Sequence, residues 1–459
     1  MNQVFESYRV IHFVGIGGIG MSGIAELLHN LGYEVTGSDI KESRTTKRLR
    51  GLGMAVHIGH RVENINGAHV VVISSAVKED NPEVVAAKQR QVPVIPRAEM
   101  LAELCRLKYS ILIAGAHGKT TTTSLVSEIL TSAKMDPTVV IGGRLKATGA
   151  NAMLGKGEFI VAEADESDGS FLKLSPSIAV ATNIDVEHMD YFGTIEKLKD
   201  AFVSFLDKVP FYGTSIVCIE NQYIRDILPF LKRRYITYGF TPEADIYAYS
   251  VSQKEFRMEF GVVSRGKDMG IFSVPVIGSH NVLNTVAAIV AGMELKIPVE
   301  TIRNGLSLFG GIQRRFEYKG EVRGVKVFDD YGHHPTEIKA VLQAARAAVE
   351  KKIFVVFQPH RYTRTCHLMD EFSSSFGDAD ELFVTDIYPA GEKPIEGITA
   401  GTLVEAIKKN KKEVWYESDT RTLIEKIGKK ISSGDLLITL GAGNVYKIGE
   451  RFIKEAGNE

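Results

Sequence analysis

Cysteine is scarce in this chain. Cys105, Cys218 and Cys366 are the only three in 459 residues, far apart and in no C-x-x-C or Cys/His spacing. That spacing excludes a disulfide framework and a structural zinc site, and it fits a reducing compartment. Charge of one sign is lacking as well: 55 Lys and Arg stand against 56 Asp and Glu. Such a balance creates no field that would draw the chain to nucleic acid or to an anionic membrane. No run of eighteen apolar residues occurs, so no membrane-spanning helix is expected. The apolar stretch 10–20 behind Arg9 resembles a secretory leader only superficially. It lacks a cleavage site and runs straight into a turn and an amphipathic helix, and a cytoplasmic protein is the expectation. Low-complexity tracts and short-period repeats are also missing. What remains is a globular composition, 44% hydrophobic and 24% charged, with a length that asks for two to four domains.

Short strands alternate with helical patterns in the first hundred residues. Segments 10–14, 34–37 and 70–73 read as strands, and 19–31 and 82–90 as helices, which implies a parallel sheet with right-handed crossovers. A second unit opens at Ser110, with strands expected at 159–162 and 178–181 and a helix around 194–207. Between 235 and 277 the pattern changes to alternating runs such as 245–251 and 256–263, which read as a small antiparallel addition, followed by a helix at 279–295. A glycine-rich junction at 309–316 precedes a fresh alternation with strands at 326–328, 353–357, 382–384 and 436–440. Three α/β domains are expected: 1–107, 108–320 and 321–459.

The segment 111–123 carries the most chemistry. An apolar strand enters the small-residue turn Gly115-Ala116-His117-Gly118, and Lys119 and the hydroxyls Thr120 to Thr123 follow at the start of a helix. This arrangement points backbone N–H groups and a helix N-terminus at an anion, adds one ammonium, and leaves a hydroxyl for Mg²⁺. It is a way of holding a nucleotide triphosphate, although the spacing departs from G-x-x-x-x-G-K-[ST]. Near the N-terminus, Gly15, Gly17 and Gly20 form G-x-G-x-x-G between a strand and a helix, with Asp39 about twenty residues on. By pattern this is a dinucleotide fingerprint, and an NAD-dependent oxidoreductase is a rival reading. The motif reports close approach of backbone to a diphosphate, and a UDP-linked sugar carries the same group.

Acidic residues follow the strand 159–162. Glu163 comes first and is the expected Mg²⁺ ligand, while Asp165, Glu166 and Asp168 read equally well as a solvated loop. His188 stands between acids after the strand 178–181 and is a candidate for a second metal or for phosphate. Asn281 and Asn284 lie three apart on one helix, suited to an adenine edge or, equally, to capping. Arg314 and Arg315 occupy the junction. Asp330, Tyr331 and His333 follow one strand, and His360, Arg361 and Arg364 another, the two arginines making a natural fork for a carboxylate.

Eight segments in order carry a family resemblance: GIGGIGMSGIAE at 15–26, GAHGKTTTT at 115–123, EADESDGSF at 163–171, TNIDVEHMDYF at 182–192, HNVLN at 280–284, GIQRRFE at 311–317, DDYGHHPTEI at 329–338 and QPHRYTRT at 358–365. Together they resemble the Mur ligases, the ATP-dependent amide-forming enzymes of peptidoglycan synthesis. The resemblance implies a Rossmann-like N-terminal domain for a UDP-sugar, a central ATP-binding domain and a Rossmann-like C-terminal domain that binds the amino acid and closes on ATP. It implies that Gly115 to Thr121 hold the phosphates, with Lys119 in contact with them. Thr120 and Glu163 would take one Mg²⁺ and His188 a second, with Mn²⁺ able to substitute. Asn281, Asn284, Arg315 and Asp330 would complete the nucleotide site. Tyr331, His333, His360, Arg361 and Arg364 match the amino-acid region, and Gly15, Gly17, Gly18, Ile19, Gly20, Asp39, His60, Ser74 and Ser75 the UDP-sugar region. Ala116 replaces the usual threonine of the loop. Phe202 stands where sister ligases carry a carbamylated lysine, so no carbamate is expected. The branch implied adds L-alanine to the lactyl carboxylate of UDP-N-acetylmuramate through an acyl phosphate, with a tripeptide-adding recycling ligase as the alternative.

Overall fold

The computed structural model describes residues 8–74, 76–141, 152–410 and 413–457. Ser75 lies outside the described residues, as does the side chain of Ile19. Two compact units emerge, one of residues 1–249, 262–270 and 283–309, the other of residues 250–261, 271–282 and 310–459.

The first unit begins with a five-stranded sheet in the order Ala55–Ile58, Glu34–Asp39, Val10–Val14, Val70–Ile73 and Val94–Pro96, every pair parallel. The chain moves one way from the central strand and then returns to its other side. The strand order therefore reverses beside Val10–Val14, the position outside the carboxyl ends of the strands at which open α/β sheets bind ligands. The glycine turn 15–18 leads from that strand into the helix Ile19–Asn30.

The second sheet has ten strands. In spatial order they are Lys267–Val274, Arg257–Ser264, Ile246–Lys254, Tyr235–Gly239, Thr214–Cys218, Ile178–Ala181, Tyr109–Ala114, Phe159–Glu163, Thr138–Val140 and Ala152–Met153. Neighbouring strands Ile246–Lys254, Arg257–Ser264 and Lys267–Val274 are joined by two-residue turns, which only antiparallel pairs permit. At the second turn Arg265 and Gly266 both have positive φ, as a tight hairpin of matching twist requires. Ile178–Ala181 and Phe159–Glu163 flank Tyr109–Ala114 in parallel, with Ala181 opposite Ala114 and Glu163 opposite Ile113. These runs are apolar because both faces of the sheet are covered; Ile111, Leu112, Ile113, Val161 and Val180 are fully buried. Each such side chain contributes roughly 1.5–3 kcal/mol through removal from water.

The second unit holds a six-stranded sheet in the order Glu317–Val322, Val325–Asp330, Leu436–Leu440, Ile353–Phe357, Glu381–Val384 and Val414–Tyr416, antiparallel at the first pair and parallel beyond it. The strand Glu317–Val322 spans position 320/321, so the third sheet starts a few residues before the expected boundary. Phe256 packs on Phe316 and Phe328, with ring centroids 6.0 and 4.8 Å away. Asp330, Leu440, Phe357 and Val384 align across the sheet, so the segments after them share one edge. Among the described residues no helix is long and apolar enough to cross a membrane.

Candidate active site

Three strand ends converge on the loop that follows Tyr109–Ala114. Gly115 has φ of +134° and Gly118 +85°. A Cβ on Gly115 would strike Thr182 Oγ1 and the backbone of Asn183, and one on Gly118 would strike Asn284. The turn therefore accepts only glycine at both places. The loop is tied to the next strand end by its backbone: Thr182 Oγ1 donates to the carbonyl of His117 at 2.6 Å, Asn183 Nδ2 donates to the same carbonyl at 3.0 Å, and the N–H of His117 donates to Asn183 Oδ1 at 2.9 Å. Ala116 contributes backbone to this turn, its N–H lying 3.4 Å from the carbonyl of Asn183.

Lys119 opens the fourteen-residue helix Lys119–Ser132. Its ammonium donates to the carbonyl of Gly115 at 2.6 Å and to both carboxylate oxygens of Glu166, at 2.7 and 3.0 Å. Burial works to lower the Lys119 pKa, but Glu166, Asp165 and Glu163 outweigh it and the net shift is upward. Asp165 shows the mirror image: burial pushes its carboxyl up, and Lys119 with the Ser167 N–H pulls it below its ordinary value. Glu166, one of the acids that read equally well as a solvated loop, is only 2% exposed and is the lysine's principal partner. Thr120 and Glu163, both half-buried, supply hydroxyl and carboxylate oxygens suited to a hard divalent cation. A glycine cradle without room for Cβ atoms, a lysine and two hard-oxygen donors fit a Mg²⁺-bound triphosphate.

His188 is left-handed, with φ of 58°, and its ring stands 3.7 Å from the carboxylate of Glu187. A non-glycine residue held in this region is a strain that its surroundings impose, and such strain gathers at functional sites. Asn284, buried, accepts from Thr122 Oγ1 at 3.3 Å. Asn281 donates to the carbonyl of Ile277 at 2.8 Å, a local bond of the capping kind.

At the N-terminal turn, the N–H groups of Gly15 and Ile16 donate to the carbonyl of Ser38 at 2.8 and 2.9 Å. Asp39, expected near a ribose, accepts from the N–H of Gly17 at 2.8 Å. Ser74 Oγ lies against Gly15, and Gly18 caps the helix. His60 Nδ1 is 2.9 Å from Ser38 Oγ and 3.3 Å from Glu83. Glu83 itself was not legible in the sequence. It is wholly buried, yet accepts from Ser38 at 2.5 Å, Asn64 at 2.5 Å and the Arg61 N–H at 3.2 Å, with His12 at 3.5 Å. Burial raises its pKa, but the bonds from His12, Ser38 and Asn64 prevail and draw it from 4.5 down to about 2. A depressed carboxyl contributes stability that is complete above pH 4.5 and is lost as pH falls toward 2. The shift corresponds to about 3 kcal/mol. Glu83→Ala is expected to remove roughly that much and to flatten the acid limb of a pH series of urea melts; an unchanged acid limb would show that the carboxylate is not the linked group.

In the second unit, Asp329 and Asp330 end a strand side by side. Asp329 accepts from Arg314 Nε at 2.9 Å and Thr439 Oγ1 at 2.6 Å, and Arg314 Nη1 also donates to the Gly443 carbonyl at 3.0 Å, so this arginine knits the sheet edge together. Asp330 accepts from the N–H groups of Phe316 and Gly332, each at 2.7 Å. Burial lifts its pKa to about 6 against the opposing pull of Arg315. Arg315 lies over the Tyr331 ring at 5.5 Å. His333 and His360 meet edge to face at 5.6 Å, and His360 stacks on Tyr388. Burial lowers both histidines; neighbouring His333, Arg364 and Arg361 help hold His360 to about 4. Both rings are thus neutral near pH 7, and the cluster's positive charge resides on Arg361 and Arg364. Arg361 has φ of 72°, anchors its N–H on the Tyr388 carbonyl at 2.9 Å, and has Glu392 3.9 Å from its guanidinium.

Comparison with known proteins follows this geometry domain by domain. The description "Mur ligase family, catalytic domain" matches residues 10–109, "Mur ligase middle domain" residues 113–292, and "Mur ligase, glutamate ligase domain" residues 314–443. Over 446 residues the chain is 54% identical to the UDP-N-acetylmuramate–L-alanine ligase of Geotalea daltonii, covering 97% of each chain. It is 50% identical over 445 residues to the protein of the same name from Myxococcus xanthus, covering 97% of this chain and 94% of that one. The solved UDP-N-acetylmuramate–alanine ligase of Thermotoga maritima superposes with a TM-score of 0.83 at 29% identity, covering 97% of this chain and 98% of that one. The murein peptide ligase of Psychrobacter arcticus shares the fold at a TM-score of 0.70 and 24% identity, covering 98% and 99%. Three family domains in sequence, each on one of the three sheets, and relatives half identical along nearly the whole length make this chain a member of the Mur ligase family.

Proposed function

We infer that the chain is an ATP-dependent ligase that joins L-alanine to the lactyl carboxylate of UDP-N-acetylmuramate, a step of peptidoglycan precursor synthesis. The observation that carries the reading is a phosphate loop whose lysine is held among acids at three adjoining strand ends, in a chain 54% identical to a relative that bears this activity in its name. The working division is 1–107 for the UDP-sugar, 108–320 for ATP and 321–459 for the amino acid.

A carboxylate is a poor acylating agent because oxide would have to leave. Its oxygen therefore attacks the γ-phosphorus, the bond to the β-phosphate oxygen breaks, and ADP departs. The alanine amine then attacks the acyl carbon and loses a proton as phosphate leaves. Lys119 and the loop N–H groups stabilise charge as it shifts onto the leaving ADP. Thr120 and Glu163 would hold one Mg²⁺ and His188 a second, and the bound metal supplies neutralisation of the phosphate charge. Asn281, Asn284, Arg315 and Asp330 serve the nucleotide, and the glycine turn with Asp39, His60 and Ser74 serves the UDP-sugar. Arg361 and Arg364 grip the alanine carboxylate, with Tyr331, His333 and His360 around it. Because the reaction consumes ATP, we place it in the cytoplasm.

The chemistry has an isotopic signature. With UDP-N-acetylmuramate labelled by ¹⁸O in the lactyl carboxylate, the phosphate released during alanine addition is expected to carry one ¹⁸O. Unlabelled phosphate would rule out the acyl-phosphate route.

A further inference from the structure

Arg97 begins the helix Arg97–Arg106 and stands between two loops already described. On one side is Gly20, in the first turn of the helix that follows the N-terminal glycine turn. A Cβ at Gly20 would meet Arg97 Nη1 at 3.0 Å, Cδ at 3.1 Å and Cζ at 3.2 Å, so the missing side chain is what lets the guanidinium lie against this helix start. On the other side is Asp165, whose carboxylate oxygen is 3.9 Å from Nη2. That distance is too long for a hydrogen bond. Among the described residues Arg97 makes no hydrogen bond through its guanidinium, although the side chain is only 27% exposed.

The glycine turn needs such a cation. Its Gly15 and Ile16 N–H groups donate to the Ser38 carbonyl, its Gly18 N–H to the Gly15 carbonyl and its Gly17 N–H to Asp39, so the donors of the turn are occupied and a negative carboxylate sits at the rim. The helix Ile19–Asn30 carries no basic side chain until His29 in its last turn. A diphosphate brought to this helix start meets a carboxylate and few unoccupied backbone donors, a repulsion that a planar guanidinium, with two parallel donors, is shaped to offset.

Resting on the ligase reading above, we propose that Arg97 binds the diphosphate of the nucleotide sugar, moving from its loose contact with Asp165 onto the phosphate oxygens. Gly20 is then required for the approach of this arginine. Binding of the nucleotide sugar also withdraws a positive charge from Asp165, in the same acidic loop as the Glu166 that pairs with Lys119.

The test uses the full-length chain as wild type, Arg97→Gln and Arg97→Ala. UDP-N-acetylmuramate binding is measured by calorimetry over a range of salt, and KM is measured for each substrate. Each variant is expected to bind the nucleotide sugar on the order of 10- to 100-fold more weakly, the loss typical of one charged hydrogen-bonded contact. The salt dependence should be shallower, because one ion contact is gone, while the KM for ATP and for L-alanine stays near the wild-type value. A merely structural role would raise all three KM values together and leave the salt slope alone, and that result would overturn the proposal. So would unchanged affinity in either variant. Failure of the wild type to bind UDP-N-acetylmuramate would instead count against the ligase reading on which the proposal rests.

Discussion

Lys119→Ala is expected to lower ATP turnover by about 10³-fold or more, the range seen when a group that stabilises charge in phosphoryl transfer is removed. The prediction has a second half that follows from the partner. Glu166 is 2% exposed and takes both its close contacts with a cation from this lysine. Removing Lys119 leaves that carboxylate buried and uncompensated, which costs on the order of 3–5 kcal/mol. The single variant should therefore be both inactive and less stable. Adding Glu166→Gln should restore most of the stability and none of the turnover. Stability is read by denaturant melts and turnover by ADP formation. A Lys119→Ala protein with near-wild-type turnover would remove the phosphate-loop assignment; a double variant that recovers turnover would mean the lysine acts only by holding the fold.

Arg361→Ala is expected to raise the KM for L-alanine by about 30- to 100-fold and to change the KM for ATP by no more than about twofold, as loss of a carboxylate fork requires. The geometry favours a large effect. The backbone N–H of Arg361 is pinned to Tyr388, its left-handed φ of 72° aims the side chain, and Glu392 at 3.9 Å is a weak competitor for the guanidinium. Arg364 lies one turn on, with Nη1 3.4 Å from His360 Nδ1. Both neighbouring histidines are held neutral, so Arg364 remains as a single prong and the histidines add no charge in place of the one removed. Arg361→Lys should recover part of the loss, since it keeps a charge without the two-pronged geometry. Equal increases for both substrates would instead place Arg361 in the support of the fold.

The legible parts of this molecule were those in which a local pattern carries the physics. The strands Val10–Val14, Val70–Ile73, Ile178–Ala181, Ile353–Phe357 and Leu436–Leu440 have the limits expected from sequence, because a parallel strand buried on both faces is a continuous apolar run. Ala55–Ile58 and Val94–Pro96 escaped notice: they are short edge strands, partly exposed, with no such run. The glycine turns were readable because positive φ leaves few alternatives to glycine. The buried acids were not. Glu83 gathers partners as distant in sequence as Ser38 and His12, and Glu166 meets Lys119 across 47 residues. Nothing in their neighbours' identity marks them off from solvated loop acids, and Asn183, which ties down the phosphate loop, is silent for the same reason. His60 owes its place to a buried network, and no sequence spacing predicts its contact with Ser38. Arg97 belongs to none of the motifs read from the sequence, and only the packing against Gly20 brings it to notice.

The most direct measurement is ADP formation with Mg²⁺-ATP and UDP-N-acetylmuramate, with L-alanine and the tripeptide supplied in parallel and the products weighed by mass spectrometry. The account predicts ADP only when L-alanine and the nucleotide sugar are both present, one ADP for each alanyl amide formed. ADP formation that needs the tripeptide, or none with either acceptor from folded protein, would contradict it.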